Sequence, residues 1–130
     1  LILPDTSAWV EFLRGTGSAT ASRLREAITK DQELATTEPV VMELLAGAAT
    51  AAEDAWVRQL PATIAVLRCK GLADYQAAAL IFRACRGQGH TISSMIDCLI
   101  AAVAIRTDAV VLHHDADFEA IAATCGLKLA

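Results

Sequence analysis

An α/β fold, with a short and mostly parallel sheet covered on both faces by helices, is what this 130-residue sequence predicts. Three observations predict it. Short apolar runs at Leu1 to Leu3, Leu34 to Thr36, Ile64 to Leu67 and Ala109 to Leu112 alternate with longer segments of helical period. Each run is followed by a long stretch before the next, and parallel strands need such crossovers where antiparallel ones can close through a tight turn. Hydrophobic residues make up 55% of the chain and aromatics only 5%, so the core must be built from Ala, Leu, Ile and Val, which suits helices packed on a small sheet. The length suits one domain over residues 1–130.

Leu1 to Leu3 reads as the first strand, ending at Asp5, and Thr6 and Ser7 open a helix through Ala8, Trp9, Phe12 and Leu13 to Gly15. Pro4 has no N–H for a sheet ladder, which predicts an edge strand or a chain already leaving the sheet. After the turn Thr16-Gly17-Ser18, Ala19 to Lys30 is amphipathic with Leu24, Ala27 and Ile28 inward. Leu34-Ala35-Thr36 is a weak second strand. The helix from Thr37 to Ala48 takes Pro39 in its first turn, where a missing N–H costs nothing, and carries Val40, Glu43, Leu44 and Gly47 on one stripe. Ala51 to Leu60 is a further helix with Ala55, Trp56 and Leu60 packing, and Pro61 is its expected stop. Beyond a third strand at Ile64 to Leu67, a long helix starts at Gly71 with the stripe Tyr75, Ala78, Ala79, Phe82 and Cys85. Ser93 to Arg106 is the most apolar helix, and Ala109 to Leu112 the clearest strand. The helix after Asp115 turns Phe118, Ile121 and Ala122 inward, and Gly126 precedes a last short strand at Leu127 to Leu129.

Acids interrupt these apolar surfaces. On the helix from Ser93 to Arg106, positions 93, 97, 100, 101 and 104 share one side, which is apolar except for Ser93 and Asp97. Glu43 interrupts a second stripe in the same way. Asp5 and Asp115 stand at the carboxyl ends of strands, where parallel sheets bind ligands, although each could serve only as a helix cap. Asp117 falls in a first helical turn, which favours an acid on dipole grounds alone. Asp5, Glu43, Asp97 and Asp115 can all reach one mouth of the sheet, and none has Lys or Arg on its stripe. A divalent cation is the obvious compensating charge. Oxygen-only ligation suits Mg²⁺ or Mn²⁺ and not zinc. His113 and His114 do not change this, because neighbours at a strand end point to opposite faces and at most one can face the site.

The net charge of −4, from 11 basic and 15 acidic side chains, disfavours a plain nucleic-acid-binding module. The clustered cations near the Asp97 helix are Arg83 and Arg86, followed by His90. The four cysteines form no C-x-x-C pair and are expected as free thiols. The apolar run Cys98 to Ile105 is far short of the ~20 residues a bilayer requires, and the amino end meets an acid too early for a secretory signal. A cytoplasmic protein with no membrane segment is expected.

Asp5-Thr6-Ser7, Met42-Glu43-Leu44 with Gly47, Asp97-Cys98-Leu99-Ile100-Ala101 and Asp115-Ala116-Asp117-Phe118 resemble, in order and approximate spacing, the motifs of the PIN-domain ribonucleases, in particular the VapC toxins of bacterial toxin-antitoxin pairs. The resemblance covers nearly the whole chain. It implies a PIN-domain-like α/β/α sandwich in which Asp5, Glu43, Asp97 and Asp115 are the catalytic acids. Asp5, Asp97, Asp115 and Asp117 would hold the metal, and Thr6, Ser7 and Ser94 would supply supporting hydroxyls. It further implies a Mg²⁺- or Mn²⁺-dependent endoribonuclease acting on transfer or ribosomal RNA to leave 5′-phosphate and 3′-hydroxyl ends. A cognate VapB antitoxin would silence it, and a homodimer is expected. Many relatives carry a basic residue where this chain has Ser93 or His114, so substrate contacts are assigned to Arg83, Arg86, His90 and His113. Exposed Trp9, Phe12 or Trp56 would mark a partner surface. Two competitors are a catalytically silent module that binds RNA or protein and a Mg²⁺-dependent phosphatase or receiver. The latter is disfavoured because Asp5 lacks a second acid two residues on.

Overall fold

The chain, described over residues 1–130 by a computed structural model, forms seven helices around a short parallel sheet. The strands are β1 (Ile2–Pro4), β2 (Ala35–Thr36), β3 (Ala65–Val66) and β4 (Val110–Leu112). The helices are α1 (Thr6–Arg14), α2 (Ala19–Thr29), α3 (Glu38–Gly47), α4 (Ala51–Thr63), α5 (Leu72–Gly87), α6 (Met95–Thr107) and α7 (Ala116–Cys125). Parallel pairs β1–β4 and β2–β3 are joined by a single bridge, Ile2 to Leu34, and a second bridge, Val111 to Leu129, adds the carboxyl end of the chain. The last strand expected from sequence is therefore one bridge.

Pro4 explains the gap between the two pairs. Ile2 donates its N–H to Glu33 O at 2.9 Å, and strand alternation puts the nitrogen of residue 4 on the same side. Proline has nothing to donate there, so pairing with β2 stops after Ile2, while Asp5 N–H on the other side still bonds Leu112 O at 3.0 Å. The expectation that this strand end lies at an edge is met: β1 pairs with β4 along its length but with the β2 side only through Ile2, so at Pro4 one side of the strand is free. The β1–β4 register places Pro4 beside Leu112, so the residues following both strands emerge at one edge of the sheet.

The centre of the core is α6, buried on every side from Asp97 to Ala104, because helices and sheet surround it. Two other expectations need correction. Pro61 lies inside α4, whose last turn continues to Thr63 and closes with Ile64 N–H on Leu60 O at 3.1 Å. The inward side of α5 is Asp74, Ala78, Ile81 and Cys85, while Tyr75 is 59% exposed and Ala79 also faces outward. The Tyr75 stripe is rotated because Asp74 is drawn in by a distant arginine. Arg106 of α6 donates to both Asp74 oxygens, at 2.9 and 2.8 Å, and to Arg68 O, while Lys70 N–H caps the same carboxylate at 2.7 Å. In α2 and α4 the buried positions are Ala21, Leu24, Ala27, Val57 and Leu60, with Ile28, Ala55 and Trp56 at the surface.

The Asp74 carboxyl is enclosed while Arg106 reaches solvent, so removing Asp74 loses charge-assisted hydrogen bonds without stranding a buried charge. Asp74→Ala is expected to cost about 1.5 kcal/mol, read as a lowered urea midpoint at unchanged slope. Arg106 holds the Asp74 carboxyl below its ordinary range, so this stabilisation is present above the usual carboxylate pKa and is lost as pH falls through the depressed one.

Candidate active site

The carboxyl edge of β1 and β4 carries an acidic pocket of about 280 Å³ lined by Asp5, Glu11, Glu43, Asp97 and Asp115 together with Thr6, Ser7, Val10, Ser94 and His114. Backbone direction explains each position. Asp5 leaves β1 and caps α1, accepting from Ala8 N–H at 3.2 Å. Asp115 leaves β4 and caps α7, accepting from Asp117 N–H at 2.9 Å. Capping and site membership therefore coincide in the same residues. Asp97 enters from the first turn of α6, Glu43 from the middle of α3, and Glu11 from α1 one turn beyond Ser7.

Hydroxyls orient the acids. Thr6 Oγ1 donates to Glu43 Oε1 at 2.7 Å, and Ser7 Oγ donates to Asp5 Oδ1 at 2.7 Å while accepting from His114 N–H at 2.8 Å. Behind the pocket, Ser93 holds Asp117 Oδ2 through its N–H at 3.1 Å and its hydroxyl at 2.7 Å. Ser94 lines the pocket without capping α6.

The electrostatics are unfavourable for charge. Asp97 is only 5% exposed, and its Oδ2 is buried with no hydrogen-bond partner. Burial, then the adjoining Asp117 carboxyl, then the charges of Asp115 and Asp5 push the Asp97 carboxyl up to about 8. Asp5 is also raised, by burial, against the opposing pull of Ser7, Ala8 N–H and His113. Carboxylate oxygens of Asp97, Asp115 and Asp117 lie within 4.8 Å of one another. An orphaned buried oxygen, three converging carboxylates and an all-oxygen donor set fit a hard divalent cation.

Asp5, Glu43, Asp97, Asp115, Thr6, Ser7 and Ser94 are brought to one pocket, and Asp117 stands immediately behind it. The four residues assigned to substrate are not. Arg83, Arg86 and His90 are exposed and absent from the lining, with Arg86 stacked over Phe82 of its own helix. His113 faces away: its Nδ1 accepts from Asp115 N–H, its Nε2 lies 3.2 Å from Glu119, and its ring rests on Phe118. Sequence reasoning missed Glu11 and the Ser93 clamp on Asp117. The available signal for Glu11 was its i, i+4 relation to Ser7, which puts both on one face of α1.

Comparison with known proteins agrees with this geometry. The PIN domain family model matches residues 2–124. Ribonuclease VapC11 of Mycobacterium tuberculosis (strain ATCC 25618 / H37Rv) is 42% identical over 131 residues, covering 100% of this chain and 98% of that protein. Solved VapBC-1 from nontypeable Haemophilus influenzae shares the fold at a TM-score of 0.75 and 17% identity, over 99% of this chain and 96% of that one. VapBC2 from Rickettsia felis, solved bound to a DNA fragment from their promoter, gives 0.73 and 16% over the same shares. By the match of residues 2–124 to the family model and the full-length match to a VapC relative, the chain belongs to the PIN domain family, within its VapC group.

Proposed function

We propose that the chain is a divalent-cation-dependent endoribonuclease, the toxin of a VapBC-type pair. The observation that carries this reading is Asp97, a buried carboxyl with an orphaned oxygen, facing two further carboxylates within ligand distance of one another. Its relative VapC11 is a ribonuclease by name. A silent binding module has no use for so costly a cluster.

Asp97, Asp115 and Asp117 would hold Mg²⁺ or Mn²⁺, with Asp5 opposite them. When bound, the cation supplies Lewis acidity, acidifying water and stabilising charge on a phosphodiester. Glu43, pinned by Thr6 at one oxygen, keeps the other for a proton taken from the attacking water. Asp5, fixed by Ser7 and the α1 amides, orients that water across from Asp97. No side chain need act as nucleophile, and the products are 5′-phosphate and 3′-hydroxyl ends. Transfer and ribosomal RNA are the substrates to examine. Sequencing 5′-phosphate ends after brief induction in cells should give discrete sites with the wild type and none with Asp5→Asn; identical end profiles would refute the proposal.

A VapB-type antitoxin is the proposed partner, since the related solved assemblies include VapBC proteins. A groove of about 900 Å³ between α1, α2 and α4 suits an apolar helix, with Trp9 as its buried floor, Trp56 and Ile28 at the surface, and Asp31 and Glu33 on its rim. Homodimerisation is the second proposed association. The outer side of α5, with Leu72 at 72% exposure, Tyr75 and Leu80, offers apolar surface for it. No helix is long and apolar enough to cross a membrane; a cytoplasmic site of action is part of the proposal.

A further inference from the structure

The acidic pocket does not end at Glu43. That side chain and Val10 also border a second cavity of about 190 Å³, set between α1, α3 and α4. Its walls are apolar at Leu44, Gly47 and Val57, and two further charged side chains line it, Arg14 and Glu53. Each has a structural role. Arg14 stands in the last turn of α1, where a cation suits the helix dipole, and Glu53 Oε2 accepts from Ala49 N–H at 2.7 Å ahead of α4. The role of Arg14 leaves its N–H groups unused: the guanidinium makes no hydrogen bond and no ion pair within the chain, although Glu43 and Glu53 line the same cavity. Space is left between them. Gly47 contributes to it, since a Cβ at that position would meet nothing within 4 Å.

An occupant of this cavity must offer acceptors to Arg14, bring no negative charge beside two carboxylates, and present an apolar surface to the remaining walls. Phosphate fails on charge, and an aliphatic side chain would leave the guanidinium without a partner. A nucleobase meets all three demands. Because Val10 and Glu43 are common to both cavities, a strand with a phosphodiester at the acids has a neighbouring base at this shared wall. Among the bases, guanine alone sets two acceptors side by side, O6 and N7, to match the fork of an arginine, and its N1–H and 2-amino donors suit a carboxylate. We infer that this cavity takes a guanine base next to the scissile phosphodiester, with Arg14 donating to O6 and N7, and so makes the site select where RNA is cut. This rests on the nuclease reading of the acidic pocket and adds to it the base that is recognised.

The test is binding of the full chain to 5′-fluorescein undecauridylates whose central base is guanine, adenine or 7-deazaguanine. Anisotropy in Ca²⁺ reads the affinity, and a gel confirms that the oligonucleotide is intact. The wild type should prefer guanine to adenine by about tenfold, the discrimination of one bidentate pair, and should bind 7-deazaguanine, which lacks only the N7 acceptor, less tightly than guanine. Arg14→Met, which keeps the stem and removes the donors, should bring all three probes to one affinity. Gly47→Ala should keep the preference, because the added methyl meets nothing, whereas Gly47→Leu fills the cavity and should abolish it. A merely structural role for Arg14 would lower the melting temperature of Arg14→Met and leave the preference as it was. That result overturns the inference, as does an unchanged preference in Gly47→Leu. Equal wild-type affinity for guanine and adenine overturns it too, the outcome expected if the cavity receives a side chain of a partner protein. Wild-type protein that binds none of the probes overturns the nuclease reading itself, and the inference with it.

Discussion

Asp97→Asn is expected to lower cation-dependent RNA cleavage by about a thousandfold or more while making the cation-free protein more stable. The two effects have one cause. The amide keeps the shape of the carboxyl and can donate to Asp117, so the packing of α6 is retained. What disappears is a charge that the fold resists, since Asp97 Oδ2 is buried with no partner and three other carboxylates surround it. A residue that helped the fold would be destabilising to remove; one present for a ligand is the reverse.

The gain should be about 2 kcal/mol at neutral pH, below the full equivalent of a pKa raised to about 8, because the buried amide brings a desolvation cost of its own. Urea denaturation in EDTA measures the stability, and single-turnover cleavage with Mn²⁺ measures the activity. A variant that cleaves as fast as the wild type would remove Asp97 from the site. A variant less stable than the wild type in EDTA would mean that the acid serves the fold.

The acids were legible because an ionisable group on an apolar helical stripe contradicts its surroundings, and Asp97 and Glu43 stand out by that alone. Asp5 and Asp115 were legible from parallel-sheet topology, which brings the ends of neighbouring strands to one edge. Less was readable where a long-range partner overrode local pattern. Asp74 looks like an ordinary surface acid in its sequence window, yet Arg106, 32 residues away, buries it and turns α5 so that Tyr75 faces out. The strands were placed closely, but the division of the sheet was not, since it depends on which side of β1 the Pro4 nitrogen faces. Among the basic residues, the cluster Arg83, Arg86 and His90 drew attention by density, whereas His114 enters the pocket through contacts with Ser7 and Glu11, more than a hundred residues earlier in the chain.

Cation affinity should rise about tenfold per pH unit from pH 6 and level off near pH 8, because one proton must leave Asp97 for each cation bound. The same proton fixes the opposite trend in the cation-free protein. The folded chain keeps it to about 8, and the unfolded chain releases it near 3.8, so between those values the folded state binds more protons. Raising pH through that window favours unfolding, at up to about 1.4 kcal/mol per unit for this group. Asp5, raised by burial, acts in the same direction. Asp74 does not oppose it in this window, because its depressed carboxyl matters only at more acid pH. Stability in EDTA should therefore fall from about pH 5 to 8, and Mn²⁺ should restore most at the alkaline end. Calorimetric Mn²⁺ titrations at pH 6.5 in buffers of different ionisation enthalpy should show close to one proton released per cation. Asp97→Asn should abolish that release and the steep pH slope together. Release that persists in the variant would assign the proton to another acid, and affinity independent of pH in the wild type would mean that Asp97 is already ionised when the cation arrives.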